Sequence, residues 1–172
     1  MGVTGAWDDG LVAETFGAGR GNAAWLKVSG GSDEALDRDA RCPCGGRPEG
    51  ASFAECCGQA IEGNRPAPTA ETLMRSRYTA YALADGDHLF RSWHPRTRPE
   101  RVDPEPWVRW VGLKVLDVVD GAPDDTTGVV EFRAGWVAGE GATRQRGDVH
   151  ERSRFEKRAG RWFYVGPVDA GA

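Results

Sequence analysis

The sequence predicts an α+β domain, helices packed on one face of a curved antiparallel sheet of about four strands, behind a small cysteine-bearing module. Three observations lead there. Apolar residues recur at helical spacing just after Thr69, they alternate with period two from about 111 to 166, and all four cysteines lie between Cys42 and Cys57. A length of 172 residues suits one ordinary domain with a small appended module. With 40% hydrophobic residues, 28% charged residues and a net charge of −4, the chain has a globular composition and no general electrostatic reason to bind nucleic acid. No apolar run approaches the ~20 residues that cross a bilayer, and the start MGVTGAWDDG lacks the basic and apolar regions of a signal peptide. A cytoplasmic setting, in which thiols stay reduced, is therefore expected.

Residues 1–40, rich in Gly, Ala and Asp, read as a disordered extension. Its GAGRGN stretch from Gly17 imitates a dinucleotide fingerprint, but the third glycine comes one position early and no strand precedes it. The cysteine module follows at 41–60, then a proline-bearing linker at 61–68, the main domain at 69–168 and a tail at 169–172.

The main domain opens on a helix that Thr69 caps, with Pro68 just outside it. Ala70, Leu73, Met74, Arg77, Tyr78, Tyr81 and Ala84 share one face, so Arg77 is aimed at the core. A short second helix is expected through HLFRSWH, ended by Pro95, and WVRW at 107–110 supplies another turn or leads into the sheet. Strands are placed at 111–119, 127–138, 146–157 and 161–166. In the second, Val130, Phe132, Ala134 and Trp136 form the buried face; in the third, Val149 and Phe155 share parity with Glu151 and Ser153, which turns Glu151 inward.

An inward carboxylate must be paired, neutral or facing a wet cavity, and Arg77 is the candidate partner. Two readings stay open. One is a ligand pocket lined by Arg77, Tyr81 and Glu151 with Trp93 or His94; the other is a structural ion pair between helix and sheet. No nucleophile paired with a base is visible, so no catalytic residue is assigned. The outward face of the 144–161 hairpin, with Arg144, Arg146, Arg152, Arg154, Lys157, Arg158 and Arg161, leaves RNA or ribosome contact as a further possibility.

Cys42-x-Cys44 and the adjacent Cys56 and Cys57 give two close pairs, the pattern of a closed tetrahedral zinc site without an open position for substrate. A redox site and a disulfide knot are the other readings, but no CxxC pair is present and a reducing compartment opposes the knot. Glycines at 45 and 46 allow a tight turn, and metal binding would supply much of the module's folding energy.

CPCG followed by ECCG, then LMRSRYTAYALADGDHLFRSWHP, WVGLKV and ERSRFEKRAGRWFYV, together closely resemble the YchJ family of small bacterial proteins, over about residues 41–168. The cysteine loop is similar to the SEC-C motif, a zinc module also found at the end of the preprotein translocase ATPase SecA, although its GGRPEGASFAE interval is longer than usual. The resemblance implies a middle domain of nuclear-transport-factor-2-like fold, a cystatin-type cone, and zinc ligands at Cys42, Cys44, Cys56 and Cys57. By analogy with SecA's module it also implies a protein partner in secretion or translation. It brings no reaction. The reading favoured is a protein-binding adaptor, with a small-molecule binder or enzyme around Glu151 as the alternative.

Overall fold

A computed structural model describes residues 37–105 and 107–168; the extension through residue 36, with its GAGRGN motif, and the tail at 169–172 lie outside the described residues. Among the described residues, three α-helices precede four strands. Helix α1 spans Gly58–Ile61, α2 Ala70–Ala82 and α3 Gly86–Arg91; the strands are β1 Val108–Asp120, β2 Thr127–Ala138, β3 Gln145–Arg158 and β4 Arg161–Pro167. The strands form one antiparallel meander in the order β1-β2-β3-β4. WVRW thus leads into the sheet: Val108, Arg109 and Trp110 open β1.

Helix α2 begins where its cap predicts, with Thr69 Oγ1 accepting from the Thr72 amide at 3.1 Å and Glu71 in the first turn. Asp85 starts α3 in the same way, accepting from the His88 amide at 2.9 Å. That helix is shorter than its sequence pattern suggests. It stops at Arg91 because the chain turns into the sheet at once: Trp93 bridges to Tyr164, and the His94 amide donates to the Tyr164 carbonyl at 2.7 Å.

Pairing of Phe132 with Glu151 and of Val130 with Ser153 sets the register that places Val130, Phe132, Ala134 and Trp136 on the inner face of β2. Val130, Ala134, Ser153 and Phe155 are buried, and Glu151 sits half-buried among them. Two register shifts in β1, after Trp110 and after Val115, interrupt the ladder of this edge strand, an irregularity of the kind that increases local twist.

Of the helix face expected to be buried, Ala70, Leu73, Met74, Arg77 and Tyr78 are buried and Tyr81 is half-buried, whereas Ala84 lies past the helix end in a turn at φ +55°. Ser76, Thr79, Ala80 and Ala82 are buried as well. This second face is covered by the cysteine module on one side and α3 on the other, neither of which can be read from the periodicity of α2 alone. Cys42, Cys44, Phe53, Cys57 and Ile61 belong to one continuous cluster with Leu73, Met74, Leu89, Phe155 and Trp162. The segment joining module to domain is docked as well: Ala67 is buried, and the Pro68 carbonyl accepts from Trp162 Nε1 at 3.1 Å.

Candidate functional site

The cysteine module is a tight hairpin followed by a helical turn. Arg41 bridges to Ser52, the Cys42 amide donates to the Ala51 carbonyl at 3.0 Å, and the Gly45 amide returns to the Cys42 carbonyl at 2.9 Å. Gly46 has φ +83°, and a Cβ there would lie 2.4 Å from the Ala51 nitrogen, so the hairpin closes only with glycine. Cys42 and Cys44 project from this turn. Cys56 and Cys57 face them from the entry to α1, positioned by the Gly58 amide bonding back to the Phe53 carbonyl at 2.8 Å.

All four Sγ atoms lie within 4.8 Å of one another. Cys44 stands 3.5 Å from Cys42, 3.6 Å from Cys56 and 3.6 Å from Cys57, and Cys56 is 3.8 Å from Cys57. A tetrahedral ion with metal–sulfur bonds of about 2.3 Å requires sulfurs about 3.8 Å apart, so the donor set fits zinc in both chemistry and size. All four cysteines are free, and Cys42, Cys44 and Cys57 are buried. These four closely spaced thiols can hold a metal ion.

Crowding governs their protonation. Cys42, accepting hydrogen bonds from Cys44, Cys56 and Cys57, is held far below the ordinary thiol range. Cys44, which donates to Cys42 but accepts from Cys56 and Cys57, is lowered to about 7. Cys56 and Cys57 are pushed up, first by donating to Cys42 and Cys44 and then by burial. Four adjacent thiolates repel, so without a cation the cluster cannot carry its full negative charge; a divalent ion removes that limit. A zinc bound here would supply a fixed tetrahedral cross-link between hairpin and α1.

Helix α2 closes the site from behind. Thr79 Oγ1 lies 3.8 Å from Cys42 Sγ, and Arg75 Nη1 donates to the Cys44 carbonyl at 3.2 Å while its Nε bonds Glu71 at 2.8 Å. Glu71 also receives Arg47 from the hairpin at 3.3 Å. Neither Thr79 nor Arg75 is among the sequence-derived candidates: they share a face of α2 offset from the stripe of Met74 and Tyr78, and only the docked cysteine module gives that face its role.

Inside the cone the structure brings Arg77, Trp93 and Glu151 together around Tyr164. Arg77 Nη1 donates to the Leu89 carbonyl and to Ser92 Oγ, both at 2.8 Å. Its guanidinium stacks 4.4 Å from the Tyr164 ring centroid and 5.0 Å from that of Trp93. Burial lowers its hold on the proton, opposed by Tyr81, Tyr164 and Glu151. Glu151 does not pair directly with Arg77: its Oε1 accepts from the Tyr164 hydroxyl at 2.9 Å and from Ser153 Oγ. The aromatic ring thus stands between cation and carboxylate. Tyr164 is absent from the sequence-derived candidates; the signal that could have found it is the parity it shares with Trp162 in RWFYV, both of which are buried.

Tyr81 packs on Trp110 with ring centroids 5.8 Å apart, and burial pushes its hydroxyl pKa up. The Trp93 indole N–H is buried without a hydrogen-bond partner among the described residues. His94 lies elsewhere: fully buried, it approaches Glu156 at 3.6 Å and Arg158 at 3.3 Å on the outward side of β3, against Phe163. The outward hairpin is less bare than its sequence. Arg152 bonds Asp117 and Glu131, both at 2.8 Å, Arg133 bonds Asp148 at 3.1 Å, and His150 bonds Glu131 at 2.7 Å.

Among the described residues no helix is long and apolar enough to cross a membrane. Residues 69–167 match the family model of the YchJ middle domain, of nuclear-transport-factor-2-like type. A UPF0225 protein of Streptomyces coelicolor is 50% identical over 124 residues, covering 72% of this chain and 91% of that protein. One from Deinococcus radiodurans is 44% identical over 124 residues, covering 72% and 85%. The solution structure of a SEC-C motif containing protein from Rhodopseudomonas palustris has a TM-score of 0.62 and 34% identity, covering 75% of this chain and 99% of that one. A crystal structure of a SEC-C motif containing protein from Psychrobacter arcticus shares the fold, with a TM-score of 0.62 at 24% identity over 80% and 87% of the two chains.

Proposed function

This chain belongs to the YchJ family, and from that membership and the sulfur geometry we propose that it is a protein-binding adaptor whose Cys42, Cys44, Cys56 and Cys57 hold one structural zinc ion. The observation that carries the metal is the spacing of the four sulfurs, 3.5 to 3.8 Å where adjacent, at the edge length of a tetrahedral thiolate site. A set of four protein ligands leaves no coordination position for a substrate, which supports a structural ion over a catalytic one. The metal would lock a hairpin whose tip, Arg47 to Gly50, and whose Arg41 are exposed. Those residues form the surface offered to a protein partner.

Purified full-length protein is expected to carry about one zinc per chain by elemental analysis, and Cys57→Ser to lose it. Because the module shares a core with the cone, its contact surface is tested without deleting it: Arg41→Glu with Glu49→Arg should abolish partner capture while zinc content stays at the wild-type level. Metal-free native protein would overturn the zinc assignment, and capture that survives the double substitution would overturn the adaptor surface.

One observation favours a second reading, a small-molecule site in the cone. The unpartnered indole N–H of Trp93 adjoins the Arg77, Tyr164 and Glu151 cluster, through its ring contact of 4.9 Å with Tyr164, and a buried donor left without an acceptor costs about 1–3 kcal/mol unless a ligand or water supplies one. RNA contact draws less support, since Arg133 and Arg152 spend their charge on carboxylates of the same sheet.

A further inference from the structure

We infer that Thr79, a residue of the cone helix 37 positions beyond Cys42, is a working part of the metal centre, its hydroxyl donating to the Cys42 thiolate and raising the affinity for zinc. The inference rests on the metal reading above and extends the centre beyond its four ligands into a different part of the chain. Thr79 is completely buried, and among the described residues Cys42 Sγ, at 3.8 Å, is the hydrogen-bond partner of its hydroxyl. A buried hydroxyl without a partner is costly, and a β-branched polar residue is a weaker helix former than alanine, which occupies the neighbouring buried positions 80 and 82. Packing alone therefore does not account for a threonine here.

The direction of the bond follows from valence. A metal-bound thiolate has no proton and can only accept, so the hydroxyl must donate to it. A donor fixed in the helix stabilises the sulfur in its deprotonated, metal-holding form and needs no rearrangement when the ion arrives.

Arg75 and Glu71 keep the two partners in reach of each other. The Arg75 guanidinium holds the Cys44 carbonyl at 3.2 Å, Glu71 anchors that guanidinium at 2.8 Å, and Arg47 joins the same carboxylate from the hairpin. The module is thereby pinned over the turn of α2 that presents Thr79. Thr79 acts as a positioning and polarising residue for Cys42, and metal affinity becomes a property of module and cone together.

The test uses the full chain and three proteins: wild type, Thr79→Val, which keeps the shape and removes the hydroxyl, and Thr79→Ser, which keeps the hydroxyl and removes a methyl. Zinc affinity is read by competition with a chromogenic chelator, and the sulfur environment by the thiolate-to-metal absorption of the cobalt-substituted proteins. Loss of an outer partner of a metal ligand lowers affinity roughly 10- to 100-fold, so Thr79→Val should fall at least about tenfold and shift the cobalt band, with Thr79→Ser close to wild type. Equal affinity in all three overturns the inference and leaves the metal reading standing. Equal weakening of Val and Ser also overturns it, since the loss would then follow packing. Wild type that binds no zinc overturns both. Should Thr79→Val not fold, Thr79→Ala against Thr79→Ser carries the same comparison on a stronger helix former.

Discussion

Acid should destabilise this protein through His88 before its carboxylates are protonated. His88 is buried at the contact of α2 with α3, where its Nδ1 accepts from Arg91 Nη2 at 3.2 Å. Its Nε2 must then carry the proton and donate to Ser76 Oγ at 2.9 Å, and Ser76 in turn donates to the Leu73 carbonyl at 2.8 Å. This ring is neutral and satisfied as it stands; a second proton would sit against a guanidinium in a dry site. Burial first, then the positive charges of Arg91, Arg77 and Arg161, lower its pKa from 6.5 to about 3. The sign follows directly: the unfolded chain takes up a proton near pH 6.5 that the native state refuses, so stability is full above that pH and falls as pH drops toward 3. Between pH 7.5 and 5.5 the loss integrates to about 1.4 kcal/mol for this one group. Urea unfolding of wild type and His88→Gln at those two pH values, with zinc content matched, isolates the contribution, because the other two histidines cancel in the difference. Wild type should lose about 1.4 kcal/mol more than the variant. Equal losses, or a His88 ring resonance that titrates near pH 6.5 in the folded protein, would refute the assignment.

Two further outcomes are expected. Gly46→Ala should lower both zinc affinity and melting temperature, since it combines φ +83° with a Cβ 2.4 Å from the backbone of Ala51, whereas Gly45→Ala, with open space at φ +93°, should cost only the conformational term of about 1–2 kcal/mol; equal effects in thermal melts would count against the hairpin geometry. Glu151→Gln should leave the fold intact and lower the Tyr164 pKa, because burial and then the Glu151 charge hold that phenol up; an unchanged alkaline tyrosinate titration would show that the carboxylate does not act on the ring.

Much of this architecture is legible in the chain because the controlling forces are local. Period-two alternation placed all four strands to within a few residues, since each inner position must be apolar or satisfied. Thr69 and Asp85 carry their caps in their own side chains. The cysteine spacing by itself identifies a four-thiol cluster. Even the inward turn of Glu151 follows from parity, because it shares a face with Ser153 and Phe155.

What sequence by itself determined is therefore the set of elements, the metal-ligand candidates and the family; what only the tertiary structure decided is which partner each inward polar group found. Arg77 and Glu151 were both correctly aimed at the core, yet the ring of Tyr164, brought in by β4, stands between them and takes one on its face and the other on its hydroxyl. His94 and Trp93, adjacent in the chain, part to opposite sides of the sheet because a bridge to Tyr164 sets the backbone there in strand-like alternation. Thr79 meets Cys42 only because the module folds back over the second face of α2. Such meetings depend on the docking of segments far apart in sequence, and no local pattern encodes a distance between them.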